Sequence, residues 1–95
     1  MQEEAGVNAT VTLMDDAGWN EERGCVELTA MVRDDRGSRQ LPVAVSAEAL
    51  ERKVRTPSRP DPLRLVRDFD REIAQAVERR LAGNPPEVVL TARDL

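Results

Sequence analysis

Two groups of side chains in this chain are of types that could do chemistry. The first is basic: Arg52, Lys53, Arg55, Arg59, Arg64 and Arg67, crowded into the region around RKVRTPSRPDP, with Asp61 as the only acid among them. Clustered guanidinium groups bind phosphates, so this region is a candidate nucleic-acid surface. The second group is acidic. Asp15, Asp16, Glu21 and Glu22 lie in a segment with no positive side chain before Arg23, and four carboxylates could in principle gather on a divalent cation.

Both readings meet resistance from the surrounding residues. No aromatic side chain is interleaved with the arginines to stack on bases, and the net charge is −4. The acidic segment lacks the fixed ligand spacing and central glycine of an EF-hand loop, which favours a solvated acidic loop. There is no histidine and one cysteine. That removes the usual neutral-pH general base, the Ser-His-Asp and Cys-His arrangements, structural zinc sites and iron–sulfur clusters. Cys25 opens a strand with Glu27 as its same-face neighbour, and a nearby carboxylate raises a thiol pKa. It reads as a quiet, part-buried thiol. Trp19, the single tryptophan, reads as a lid on one end of the core, with an interface aromatic as the alternative. No cofactor is expected.

The elements that hold these groups follow from periodicity. Residues 1–8 show no pattern and are expected to form a flexible acidic tail, leaving residues 9–95 as one domain. ATVTL alternates, with Ala9, Val11 and Leu13 on one face, which is the two-residue period of a half-buried strand. Asp15 to Gly18 then supplies turn chemistry, and Asn20 can cap a short helical turn that Gly24 stops. CVELTAMVR puts Val26, Leu28, Ala30 and Val32 on one face. After the hairpin loop DDRGS, the return strand points Leu41, Val43 and Val45 inward. Pro42 lacks an amide hydrogen, so this strand is expected at an edge or with that position turned to solvent.

From Ser46 the period changes. Ser46 caps AEALERKV, Glu48 sits near the positive end of the dipole, and Val45 and Leu50 are spaced for a hydrophobic staple. Asp61 and Pro62 open a second, longer helix, whose stripe runs Leu63, Val66, Phe69, Ile73, Ala76, Val77 and Leu81. Gly83 and the following Pro85-Pro86 stop it, and EVVLTA reads as a last strand. The expectation is therefore an α+β domain in the order β-β-β-α-α-β. A small antiparallel sheet of about four strands carries one short and one long helix on one face.

With helices on both sides, the basic stretch acquires a simpler explanation. Arg52, Lys53 and Arg55 oppose the negative end of the first helix, and Pro57, Pro60 and Pro62 stop one helix and pre-set the next. The connector reading leads over nucleic-acid binding, and over phosphorylation at Thr56 or Ser58.

The succession WNEERGCVEL, VAVSAEALE, RLVRDFDREIAQAVERRL and EVVLTARDL resembles a family of short proteobacterial proteins classed as a domain of unknown function (DUF 1488). The similarity runs from about Val11 onward. It implies a small α+β fold with an antiparallel sheet and a long packed helix, and no activity. The chain departs from that family's pattern at Pro42, where a cysteine is common, at Val66, where an aromatic is common, and at Phe69, where a histidine is often found. A family mechanism built on a thiol or imidazole at those places would not operate here.

No apolar run reaches the ~18 residues of a membrane span, and no signal peptide is legible at the start, so a cytoplasmic protein is expected. The functional expectation is a non-enzymatic interaction or regulatory module acting on an unknown protein partner or on itself. Homodimerisation would use a strand edge left open beside Pro42. Nucleic-acid binding through residues 52–67 is the alternative, and a carboxylate- or metal-dependent enzyme is the third reading.

Overall fold

The computed structural model describes residues 9–53, 61–83 and 85–95. Their elements are β1 (Thr10–Leu13), β2 (Gly18–Asn20), β3 (Cys25–Asp34), β4 (Gly37–Ser46), α1 (Ala47–Lys53), α2 (Pro62–Asp68), α3 (Asp70–Arg79) and β5 (Val88–Leu90). The class is α+β, as expected: one five-stranded sheet carries the helices on one face. The expected tail at residues 1–8 lies outside the described residues, as do Val54, Arg55, Arg59 and the Thr56 and Ser58 sites.

The centre of the sheet is the β3–β4 hairpin. Its ten-residue strands pair from Cys25 opposite Ser46 to Asp34 opposite Gly37, with a two-residue turn at Asp35 and Arg36. Gly37 takes φ 120°, a backbone conformation that favours glycine. This register places Val26, Leu28, Ala30 and Val32 beside Val45, Val43, Leu41 and Arg39 respectively. The seven apolar members of those pairs are all buried.

The first departure from expectation lies at the other edge of β3. β1 pairs with residues 30–33 and β2 with residues 25–27, both antiparallel, so they form one interrupted edge. A three-residue strand at Gly18–Asn20 replaces the expected loop. Asn20 still caps the following turn, its Oδ1 accepting from the Arg23 N–H at 3.2 Å. Gly24, at φ 64°, ends that turn, and its carbonyl accepts the Ala47 N–H at 3.0 Å, tying the turn to the start of α1.

Second, the sheet is mixed. β5 lies parallel to β4, with Val43, Ala44 and Val45 opposite Val88, Val89 and Leu90. A parallel neighbour needs a crossover of a dozen residues or more, and the helical segment between the two strands supplies it. Third, the long helix is two. At Phe69 the backbone leaves the helical region (φ −108°, ψ 28°), yet the Phe69 N–H donates to Leu65 C=O and the Ile73 N–H to Phe69 C=O, each at 2.9 Å. No proline or glycine marks this bend. α2 rests on β2 and β3 whereas α3 rests on β1 and β5, so the two segments follow different parts of a twisted sheet. The bend buries Leu65, which lay outside the expected stripe, and leaves Leu63 and Phe69 half-buried.

The helix starts form as read. Ser46 Oγ accepts the Ala49 N–H at 3.1 Å and Asp61 Oδ1 accepts the Leu63 N–H at 3.0 Å. Val45 and Leu50, the staple pair, are both fully buried. Ile73, at 0% exposure, packs in the same core as β3, β4 and β5. Truncating it removes transfer energy and leaves a cavity that the sheet cannot close. Ile73→Ala should therefore lower the unfolding free energy by about 2–5 kcal/mol, measured by urea denaturation, with little change in the slope of the transition.

Candidate functional site: the uncovered face of the sheet

The four described residues of the basic group fall on two elements. Arg52 is exposed and Lys53 half-buried in the last turn of α1, while Arg64 and Arg67 are exposed on α2. Arg67 Nη2 lies 3.6 Å from Asp15 Oδ1, so one basic side chain meets the acidic segment directly. That pair also lines a cleft of about 210 Å³ floored by Leu13, Leu28, Leu63 and Val66. The volume is below the roughly 300–1,000 Å³ of ordinary small-molecule sites.

The acidic segment is likewise divided. Asp15 turns to Arg67, whereas Asp16 turns into the sheet edge. Its Oδ1 accepts the Thr29 N–H at 2.9 Å and its Oδ2 accepts the Thr29 hydroxyl at 2.6 Å. Between β1 and β2 the Met14 N–H donates to Thr29 C=O at 2.8 Å. The Asp16 carboxylate thus substitutes for the backbone acceptor missing where the edge strand is interrupted. These hydrogen bonds, the hydroxyl's first, hold the Asp16 carboxyl below its ordinary value of 3.8. Among the described residues, no group of three or more acids or cysteines is placed to hold a metal ion.

Trp19 does not act as a lid: it is 42% exposed on β2, paired with Val26 at the helix-side edge of the sheet. Cys25 is 4% exposed. Burial pushes its thiol pKa up, Glu27 and Glu87 add to the rise, and Arg23 opposes it. Arg23 closes over this end of the sheet. Its Nη1 lies 2.7 Å from Glu27 Oε2 and 3.1 Å from Glu87 Oε2, joining β3 to the residue before β5.

Composition and spacing did not single out the face opposite the helices. Residues paired across strands share a face, so Gly18, Glu27, Ala44 and Val89 form one row on the side opposite the helices, in which Ala44 is itself fully buried. Thr12, Met31 and Gln40 form a second, Thr29 and Pro42 a third, and Thr10, Arg33 and Ser38 a fourth. Thr10, Thr12, Gln40, Pro42 and Val89 are exposed. In a chain that is 34% charged, the outward strand positions carry only Glu27 and Arg33, one near each end. The alternation of the strands contained this pattern, but only the cross-strand register assembles it.

The open edge beside Pro42 is narrower than the sequence allows. Thr29 directs its N–H and C=O to the β1–β2 side, so Thr29 and Pro42 form a non-hydrogen-bonded pair. The Pro42 nitrogen therefore points away from β3, to the side where β5 begins only at the next residue. By the same alternation, Ser38 and Gln40 present backbone groups outward, and Pro42 ends the series. The edge can accept at most a short strand, and the broad face is the larger surface.

No family model matches the chain, and no curated protein or solved structure is similar to it at a significant level. The resemblance carried by VSAEALE and the adjoining segments therefore remains an expectation.

Two outcomes test this local geometry. Asp16→Ala should cost about 1 kcal/mol, since the hydrogen bonds to Thr29 are charge-assisted but solvent-exposed. Because the Asp16 pKa is depressed in the fold, its contribution is complete above pH 3.8 and disappears as pH falls through the lower folded value. Parallel acid-denaturation series of the native chain and Asp16→Ala should accordingly converge at the acid end. Cys25, buried and with a raised pKa, should react with a thiol reagent at neutral pH at least tenfold more slowly than in the urea-unfolded chain.

Proposed function

We propose that the protein is a non-enzymatic interaction module whose working surface is the uncovered face of its sheet. The observation that carries this reading is the near-absence of charge across Thr10, Thr12, Thr29, Met31, Gln40, Pro42 and Val89, in a chain otherwise dense with charge. Partner-binding cores are depleted of charged side chains, with the polar groups at the rim. Here the ion cluster of Arg23, Glu27 and Glu87 stands at one end and Arg33 at the other.

The reading without catalysis rests on what the reactive types are doing. Asp16 closes a sheet edge, Asp15 meets Arg67, Cys25 is buried with a raised pKa, and the sequence contains no histidine. Nucleic-acid binding through Arg52, Lys53, Arg64 and Arg67, with Arg55 and Arg59, is the weaker alternative. The net charge of −4 opposes a phosphate backbone, and Arg67 already faces a carboxylate.

A photoreactive side chain at position 31 and another at position 71, on the exposed surface of α3, separate these possibilities in whole cells. Cross-linked protein adducts are expected from position 31 and not from position 71. Adducts confined to position 71, or nucleic-acid adducts from either position, would overturn the assignment.

A further inference from the structure

We infer that the partner of the uncovered face is a second copy of the same chain, packed face to face with its strands running in the opposite sense. The inference rests on the interaction reading above and specifies its occupant. Arg33 is exposed near the hairpin end of the face and forms no ion pair with a carboxylate among the described residues. Six residues along β3, roughly 20 Å away at about 3.4 Å per residue, Glu27 and Glu87 share the single Arg23, a cluster with one net negative charge. The two ends of the face are therefore of opposite sign.

A two-fold axis lying across the strands at Ala30 makes these ends meet. It sets Arg33 of each copy over Glu27 of the other, Met31 over Thr29, and Gln40 over Pro42. β3 lies over β3 and β4 over β4, in the aligned sheet packing in which strands cross at about 30° and the layers stand about 10 Å apart. An axis along the strands would instead set Arg33 over Arg33 and the acidic cluster over itself, which like-charge repulsion disfavours. The first arrangement is isologous and closed, so it stops at the dimer.

Sedimentation equilibrium on the full chain at low and high salt tests the arrangement, with Arg33→Glu as the probe and Arg71→Glu on α3 as the control. A dimer is expected that weakens as salt rises. Arg33→Glu should raise its dissociation constant at least tenfold, because two favourable charge contacts become repulsive, while Arg71→Glu leaves it unchanged. Both positions are exposed, and unchanged melting temperatures will show that the variants fold. Monomer at millimolar concentration would overturn self-pairing while leaving the face assignment standing if position 31 still cross-links to another protein. A dimer indifferent to Arg33→Glu would overturn the reversed-strand geometry. Absence of both dimer and position 31 adducts would end both readings.

Discussion

The register of the β3–β4 hairpin is the constraint on which the remaining structure depends. Its apolar positions form a continuous inner surface only because Leu28 stands opposite Val43, and Ala30 opposite Leu41. Since side chains alternate with a period of two, a slip of one residue would turn that set outward and present Glu27, Thr29 and Arg33 to the helices. The turn at Asp35 and Arg36, closed by Gly37 at φ 120°, and the buried partners on α1, α2 and α3 oppose such a slip from both ends. Each large apolar side chain taken out of water there contributes roughly 1.5–3 kcal/mol, more than any exposed ion pair in the molecule supplies.

The same register has a consequence on the other side. Fixing the inner face fixes the outer one, and with it the placement of Glu27 and Arg33 at separate ends of a neutral strip. Pro42 belongs to this logic as well. Its ring nitrogen points to the side where β5 has not yet begun, so the missing hydrogen-bond donor costs nothing within the sheet and blocks extension of the edge beyond Gln40. Asp16 performs the corresponding service at the opposite edge, satisfying the Thr29 amide where β1 and β2 are interrupted.

How far the fold was legible follows from the range of the interactions involved. Local signals are legible: the alternation of residues 25–33, the Ser46 and Asp61 caps, the spacing of Val45 and Leu50, and the glycine at the hairpin, although Asp34, expected in the loop, extends the strand by one residue. Each depends on residues within a few positions of one another. What escaped depends on distant ones. The alternation of Val88 and Leu90 reveals a strand but not its direction, because direction is set by the path of the helices between. GWN is too short to show a period, and becomes β2 only because Cys25 to Glu27 offer it a partner. The bend at Phe69 has no punctuating residue and arises from which strands α2 and α3 meet. Trp19 on β2, Arg52 and Lys53 on α1, and Arg64 and Arg67 on α2 stand on separate elements, while the face proposed for a partner is present in the sequence only as the other half of each strand's alternation.

The disposition of charge gives that face its meaning. Arg23 bonds Glu27 and Glu87, Arg67 meets Asp15, and Arg79 and Arg80 donate to the backbone carbonyls of Asp94 and Val89. Arg80 also lies 3.7 Å from Asp94 Oδ1, holding the chain after β5 against α3. These guanidinium groups act as ties between segments, which accounts for four of the thirteen arginines without a ligand. An exposed position has no such requirement, and a solvated face ordinarily mixes both signs of charge. Threonine, methionine, glutamine and proline stand there instead, and Arg33 faces no acid among the described residues. In the proposed association the opposing surface supplies hydrogen-bond partners for the threonines and glutamine and a carboxylate for Arg33, which offsets their loss of water. A two-layer domain buries one side of its sheet by folding, and the association proposed above would bury the other.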